Sequence, residues 1–298
     1  MLAFPSVFAA VALFSAVAQA GKRGLVWPYY NSPLDVSTFK NSKGQVAAIY
    51  DYETYAPPSK SGVHGLNFIG MQRCLDCASS PINQLAARQK QQKWNTVFTL
   101  NEPDINGISP SQAASWYKQH INSLPTKKAL PAITSSGSKN QGVDWLNQMI
   151  KSCGGGCKYD YINLHWYGKS YADFKNYVTD VHKKFPSKQI VITEFALQNP
   201  SGGQTAQYVF SSLPVADSES CIPYLPNLSL ARTRRMSFYK EAFKFLDAQS
   251  FVHLYFPFVA TKPSLFKAND AAGANFVGTG SCLFNENGRA SPVGQLLL

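Results

Sequence analysis

The chain has 298 residues and a mass of 32.8 kDa, with 45% hydrophobic and 15% charged side chains. That balance excludes a disordered chain, and 20 Gly and 18 Pro exclude a collagen-like or low-complexity fibre. The net charge is +11 but the Lys and Arg are scattered; the densest group, Arg232, Arg234 and Arg235, reads as a solvated helix face, so the charge points to acidic surfaces such as cell walls and not to nucleic acid.

In chain order, the first twenty residues carry no charged side chain, and the apolar run Leu2 to Val17 ends in Ala18-Gln19-Ala20, the small-x-small pattern of a signal peptidase site. A transmembrane anchor is the competing reading, but the run falls short of the roughly 20 apolar residues of a comfortable span. The expected mature chain is one domain, residues 21–298, secreted to the extracellular space or cell wall, without a membrane span and monomeric by default. In that oxidising route the six cysteines, Cys74, Cys77, Cys153, Cys157, Cys221 and Cys282, are expected to form disulfides. Local bridges Cys74–Cys77 and Cys153–Cys157 plus Cys221–Cys282 come ahead of a zinc site, since the second close pair has a three-Gly spacer and no His nearby. Asn227-Leu-Ser229 is the one glycosylation sequon.

Apolar, β-branched or aromatic runs predict strands at Gly24–Trp27, Ala47–Tyr50, Asn67–Met71, Thr96–Leu100, Ala129–Thr134, Tyr161–His165, Gln189–Thr193 and Val252–Pro257. Several are nearly continuous hydrophobic runs, as in parallel strands covered on both faces. Between them, Ser80-Pro81 and Ser109-Pro110 each place a cap residue before a Pro, opening helices over Ile82–Lys93 and Ser111–Ser123. Val143–Lys151, Tyr171–Phe185 and Leu228–Ala248 follow as helices, the second with Phe174, Tyr177, Val178 and Val181 as a core stripe. The fold class predicted is α/β, a single (β/α)8 TIM-type barrel, irregular after strands two and eight: Glu53–Val63 lacks a helix signal, and the Gly-rich stretch beyond Pro257 allows a clear helix only near its end. A doubly wound sheet is the alternative, but no Gly-x-Gly-x-x-Gly or phosphate loop follows a strand.

Two carboxylates stand directly after strands four and seven, Glu102 in Asn101-Glu102-Pro103-Asp104 and Glu194 in Thr193-Glu194-Phe195. The carboxyl ends of barrel strands form the active-site face, and strands four and seven lie across the ring from each other. A facing carboxylate pair is what glycoside hydrolysis requires. Asp104 reads as a loop cap; Asp51 and Glu53, after strand two, could orient substrate, with a surface position the favoured reading. Aromatic residues gather at the same ends: Trp27, Tyr29 and Tyr30, then Trp166 and Tyr167, then Phe195, Phe256 and Phe258. Sugar rings stack on aromatic planes while phenol and indole tips bond hydroxyls; Trp27 and Trp166 are taken as substrate-binding and the Phe residues as packing. His165 has two equal readings, a partner of sugar or catalytic Glu and a satisfied core histidine. No metal or other cofactor is called for, because no metal-ligand motif is present, and no Gly-x-Ser-x-Gly supports a serine nucleophile.

With Arg23-Gly-Leu-Val-Trp-Pro28, Leu100-Asn-Glu-Pro-Asp104, Asn163-Leu-His-Trp-Tyr-Gly168 and Thr193-Glu-Phe195 in this order, the chain resembles glycoside hydrolase family 128, clan A β-1,3-glucanases built on β/α barrels. The resemblance implies a retaining mechanism with Glu102 as general acid/base and Glu194 as nucleophile. It implies that Asn101 bonds a sugar 2-hydroxyl and that Trp27, His165, Trp166 and Tyr167, with Tyr29 beside them, contact β-1,3-glucan. A non-catalytic binder of β-1,3-gluco-oligosaccharides on the same fold, or a hydrolase of another β-glycan, are the other readings.

Overall fold

The structure, a computed structural model, describes residues 21–40, 44–198 and 226–298. The proposed leader and Cys221 lie outside them. The strands are β1 Arg23–Val26, β2 Val46–Tyr50, β3 Asn67–Phe68, β4 Gly70–Gln72, β5 Thr96–Thr99, β6 Lys127–Lys128, β7 Tyr161–Gly168, β8 Gln189–Leu197 and β9 Val252–Pro257. All pair in parallel, in the orders β3-β2-β1-β9-β8-β7 and β4-β5-β6. The two groups meet at both ends. β3 and β4 are one run that changes partner at Ile69, from Ala48 and Ile49 on one side to Val97, Phe98 and Thr99 on the other. Beyond β6, Ala129 pairs with Tyr161 and Ile133 with Leu164. Eight parallel runs thus follow one another round an irregular TIM-type barrel.

The predicted fifth strand, Ala129–Thr134, survives only as those two bridges and a third from Ala132 to Asn101. Pro131 in its middle has no N–H to donate to a ladder. The return after β2 has no helix, as its composition implies. The stretch beyond Pro257, read as lacking a clear helix before its end, instead forms two short helices at Pro263–Asn269 and Ala271–Val277. Pro263 at the first helical turn opens one, and an Asp270 cap that accepts from the Gly273 N–H opens the other.

The helices are α1 Leu85–Gln92, α2 Pro110–Trp116 (continued by a π turn to Ile121), α3 Gly142–Cys153, α4 Tyr171–Lys184, α5 Pro226–Ala248, α6 Pro263–Asn269, α7 Ala271–Val277 and α8 Pro292–Gln295. Ser109 caps α2 by accepting from the Gln112 N–H, and Ser170 caps α4 by accepting from the Asp173 N–H. Ser80 does not cap: its hydroxyl is buried and donates to Glu53, so α1 starts later, after a 3₁₀ turn. The α4 stripe of Phe174, Val178 and Val181 is buried against the sheet, as its spacing predicts.

Inside the barrel Tyr50, Phe98 and Phe256 meet edge to face at 5.1–5.8 Å, and a Cβ on Gly24 would lie 2.1 Å from the Phe256 ring, so the plug tolerates only glycine there. Disulfides Cys74–Cys77 and Cys153–Cys157 are formed. Cys282 is buried and forms no disulfide among the described residues, its expected partner Cys221 lying outside them. The Asn227 sequon falls in the first turn of α5, where the helix backbone alone is described.

Candidate active site

Glu102 follows β5 directly, in the left-handed region at φ 46°. That conformation is costly for a residue with a Cβ and persists only where its surroundings fix it. Here the Glu102 N–H donates to the Ala132 carbonyl at 2.8 Å, and the Asn106 side chain and backbone both donate to the Glu102 carbonyl, at 3.0 and 3.1 Å. Asp104 is buried and braces the next loop by accepting from Thr134 and, at 2.8 Å, from Gly142 N–H; it is an anchor for the start of α3. Glu194 sits within β8, where the ladder to β7 slips at Leu164/His165 and the ladder to β9 slips between Ile192 and Phe195. Bulges of this kind re-aim side chains beside active sites. The result puts Glu194 on the cleft and Phe195 in the core, stacked on Phe174 at 5.0 Å.

The two carboxylates converge on His165, which is fully buried. Its Nδ1 is 2.9 Å from Glu102 Oε1 and 3.4 Å from Glu194 Oε2, and one donor atom from each of the three residues lies within 4.8 Å of the others. On the far side of the ring, Nε2 is 2.9 Å from Thr193 Oγ1, whose hydroxyl donates to Asn163 Oδ1 at 2.8 Å. That commitment makes Nε2 the donor to Thr193. One further proton is then held between Nδ1 and Glu102. Burial alone would lower the imidazole pKa, but Glu194 and Glu102 beside it outweigh burial and raise it. Burial would raise Glu102, and the His165 contact lowers it. Glu194 is raised, by burial first and by the Glu102 charge, against His165 and two phenols that lower it.

Those phenols are Tyr167, donating to Glu194 Oε2, and Tyr52, donating to Oε1 at 2.6 Å. Both are held far above the usual phenol range by burial and by the Glu194 charge, so both remain protonated donors. Tyr52 is the residue the sequence reading missed. It follows β2 at φ 67°, a turn conformation that no residue pattern signals and that swings its ring to the carboxylate across the barrel.

A cavity of about 770 Å³ opens over this cluster, and Glu102, Glu194, Asn101, Tyr167 and Tyr29 all line it. Tyr29, Ile105 and Phe276, 65%, 51% and 49% exposed, are the exposed large hydrophobic side chains among the described residues, and all three sit on this cleft. Trp27 and Trp166 do not. Trp27 is wholly buried, donating to the Pro58 carbonyl at 2.9 Å and packed edge-on to Phe284. Trp166 is 3% exposed and stacked on Phe238. An indole has enough apolar area for the barrel to use it as filler, so strand-end position alone does not place it in the cleft. Asp51 and Glu53 are buried, not on the surface. Glu102, His165 and Glu194 could in principle ligate a cation, but their donors are already engaged with one another, Thr193, Tyr52 and Tyr167.

The fold and this cleft have counterparts. Residues 24–297 match the glycosyl hydrolase catalytic core family, and the chain belongs to it as a glycosidase. Among solved structures, it is 51% identical to an endo-β-1,3-glucanase of glycoside hydrolase family 128, subgroup IV, from Lentinula edodes, over 93% of this chain and 99% of that one, with a TM-score of 0.81. The chain is a member of family 128, a family of β-1,3-glucanases. A subgroup I endo-β-1,3-glucanase from Amycolatopsis mediterranei, in complex with laminarihexaose, shares the fold at 19% identity and a TM-score of 0.65, over 93% and 98% of the two chains. Alkali-sensitive linkage protein 1 of Schizosaccharomyces pombe is 28% identical over 283 residues; the match takes in 94% of this chain and 44% of that protein's length. No helix among the described residues is long and apolar enough to cross a membrane.

Proposed function

We propose that the chain is a secreted, endo-acting β-1,3-glucanase that cuts cell-wall β-glucan with retention of anomeric configuration, with residues 21–298 as its catalytic unit. The observation that carries this reading is the approach of Glu102 and Glu194, whose oxygens come within 4.8 Å. Retaining glycosidases hold their carboxyls about 5–5.5 Å apart, whereas an inverting pair needs roughly 6.5–9.5 Å to admit a water. Glu194 attacks the anomeric carbon as the bond to the leaving oxygen breaks, and Glu102 gives that oxygen a proton. Water then loses a proton to Glu102, attacks the same carbon and frees Glu194.

The proton between His165 and Glu102 is the one the first step consumes. Its passage from Nδ1 to Oε1 leaves a neutral imidazole beside a protonated acid. Tyr52 and Tyr167 hold Glu194 in its ionised form against the cost of burial. Asn101 Oδ1, buried without a partner at the cleft wall, is placed to accept from a sugar hydroxyl. Tyr29, Ile105 and Phe276 offer apolar surface to sugar faces. The endo assignment draws support from the Lentinula relative, and secretion from the two disulfides.

The test is purified protein on laminarin and on laminari-oligosaccharides of defined length, beside Glu102→Gln and Glu194→Gln. Internal products from the wild type, with activity lost and binding kept in both variants, are expected. Binding without cleavage by the wild type would make the chain a glucan-binding protein.

A further inference from the structure

The wall formed by the ends of β2 and β4 contains a carboxyl that the two-glutamate reaction does not use. Asp51 follows β2, is 1% exposed and lines the cleft. Its Oδ1 turns back to accept from the Glu53 N–H at 3.2 Å, while Oδ2 is buried with no partner. Its neighbour Glu53 shows what a purely structural carboxylate looks like here. Glu53 accepts from Ser79 and Ser80 and pairs with Arg73 at 3.1 Å, leaving both oxygens engaged. Nothing comparable reaches Asp51. A buried oxygen without a partner costs stability, and such groups persist where something outside the fold completes them.

The cleft supplies a direction for that something. Asp51, Arg73 and Asn101 stand at the ends of consecutive runs β2, β4 and β5, and the Asn101 N–H donates to the Arg73 carbonyl at 2.8 Å. Asp51 and Asn101 are thus two residues of one wall, each with an unpartnered buried oxygen. The Asn101 end abuts Glu102; the Asp51 end lies two runs further round the rim. A glucan chain that followed this wall away from Glu102 would run toward Asp51, which lines the same cleft. Burial and the Glu53 charge raise the Asp51 pKa, against the Glu53 N–H that lowers it. The open Oδ2 accepts from a sugar hydroxyl when ionised and can also donate to one when protonated.

We infer that Asp51 is a substrate-binding residue of this glycosidase, taking a hydroxyl of a glucose unit next to the one being cleaved and so helping to set where along the chain the cut falls. The inference rests on the proposed β-1,3-glucanase reading and adds a specificity-determining contact to it.

Asp51→Ala and Asp51→Asn separate this role from a structural one. The full-length mature protein is assayed on laminarihexaose and laminaritriose for kcat, KM and position of the cut, and melted without substrate. Asp51→Ala is expected to lower kcat/KM on the hexaose about tenfold, the loss of one hydrogen bond to substrate, and to move the preferred cut. Its Tm is expected to stay level or rise, because an unsatisfied buried group has been removed. Asp51→Asn, which keeps a donor and an acceptor, is expected to recover most of the loss. Unchanged kcat/KM and cutting position in Asp51→Ala would overturn the inference, and so would a fall in Tm with an equal loss on both substrates. If the wild type itself fails to cut either oligosaccharide, it is the β-1,3-glucanase reading that fails, and Asp51 with it.

Discussion

Replacing Tyr52 by Phe removes one hydroxyl and little else: the ring stays in its buried contact with Tyr50, 5.1 Å between centroids. The lost group is the donor to Glu194 Oε1 at 2.6 Å. A hydrogen bond to an ionised partner is worth about 1.5–3 kcal/mol. It stabilises the carboxylate and not the carboxylic acid, so at about 1.4 kcal/mol per pH unit its loss raises the Glu194 pKa by roughly one to two units. Burial has already raised that pKa. The acid limb of the kcat/KM profile reports the free nucleophile, and in Tyr52→Phe it is expected to move up by that amount. On the plateau the loss stays within about tenfold, since Tyr167 and His165 still face the carboxylate. The assay is kcat/KM on laminarihexaose from pH 3 to 9 (about half-unit steps suffice for the shift expected) for wild type and variant. An acid limb that does not move, with the plateau lowered, would refute the claim that Tyr52 holds the nucleophile ionised.

Glu194→Gln is expected to raise stability near pH 7. The folded protein binds the Glu194 proton more tightly than the unfolded chain does, so this group's contribution is favourable at low pH and lost as pH rises through the folded pKa. The gain in Tm should therefore shrink toward pH 4, and a variant less stable than wild type at pH 7 would contradict the burial argument. His165→Gln removes the imidazole that shares a proton with Glu102, so the basic limb of activity, set by a raised imidazole in the wild type, is expected to fall to lower pH; a pH profile checks it. Trp27→Ala is expected to cost about 3–5 kcal/mol, a Tm drop of roughly 5–9 °C for a domain of this size, by emptying a wholly buried site. Isothermal titration with laminarihexaose, in a Glu194→Gln background so that the sugar is not cut, should find the affinity unchanged below the melt.

The barrel was legible because parallel strands covered on both faces read as apolar runs, and because Ser109 carries a real cap. The two glutamates stood out because each follows such an apolar run in the sequence, although β8 continues past Glu194 to Leu197. What failed were inferences that need a partner in space. Ser80 has the local signature of a cap, yet a buried Glu53 claims its hydroxyl. Trp27 and Trp166 stand at strand ends beside Pro28 and Tyr167, but the barrel rim turns both inward. His165 had two equal readings and takes part of each, buried like a core histidine and bonded to Glu102. The residue pattern allows Asp51 a substrate contact but favours the surface, where it does not lie. Tyr52 was missed because it depends on the backbone turn after β2, whose φ of 67° leaves no mark in the residue pattern.

The central claim is that Glu102 and Glu194 hydrolyse β-1,3-glucan by double displacement. Proton NMR of the first products from laminarihexaose tests it most directly. The account predicts that the new reducing end appears first as the β-anomer and then mutarotates, and that Glu194→Gln yields none. The α-anomer appearing first would contradict the account, because a cut with inversion needs no attack by Glu194.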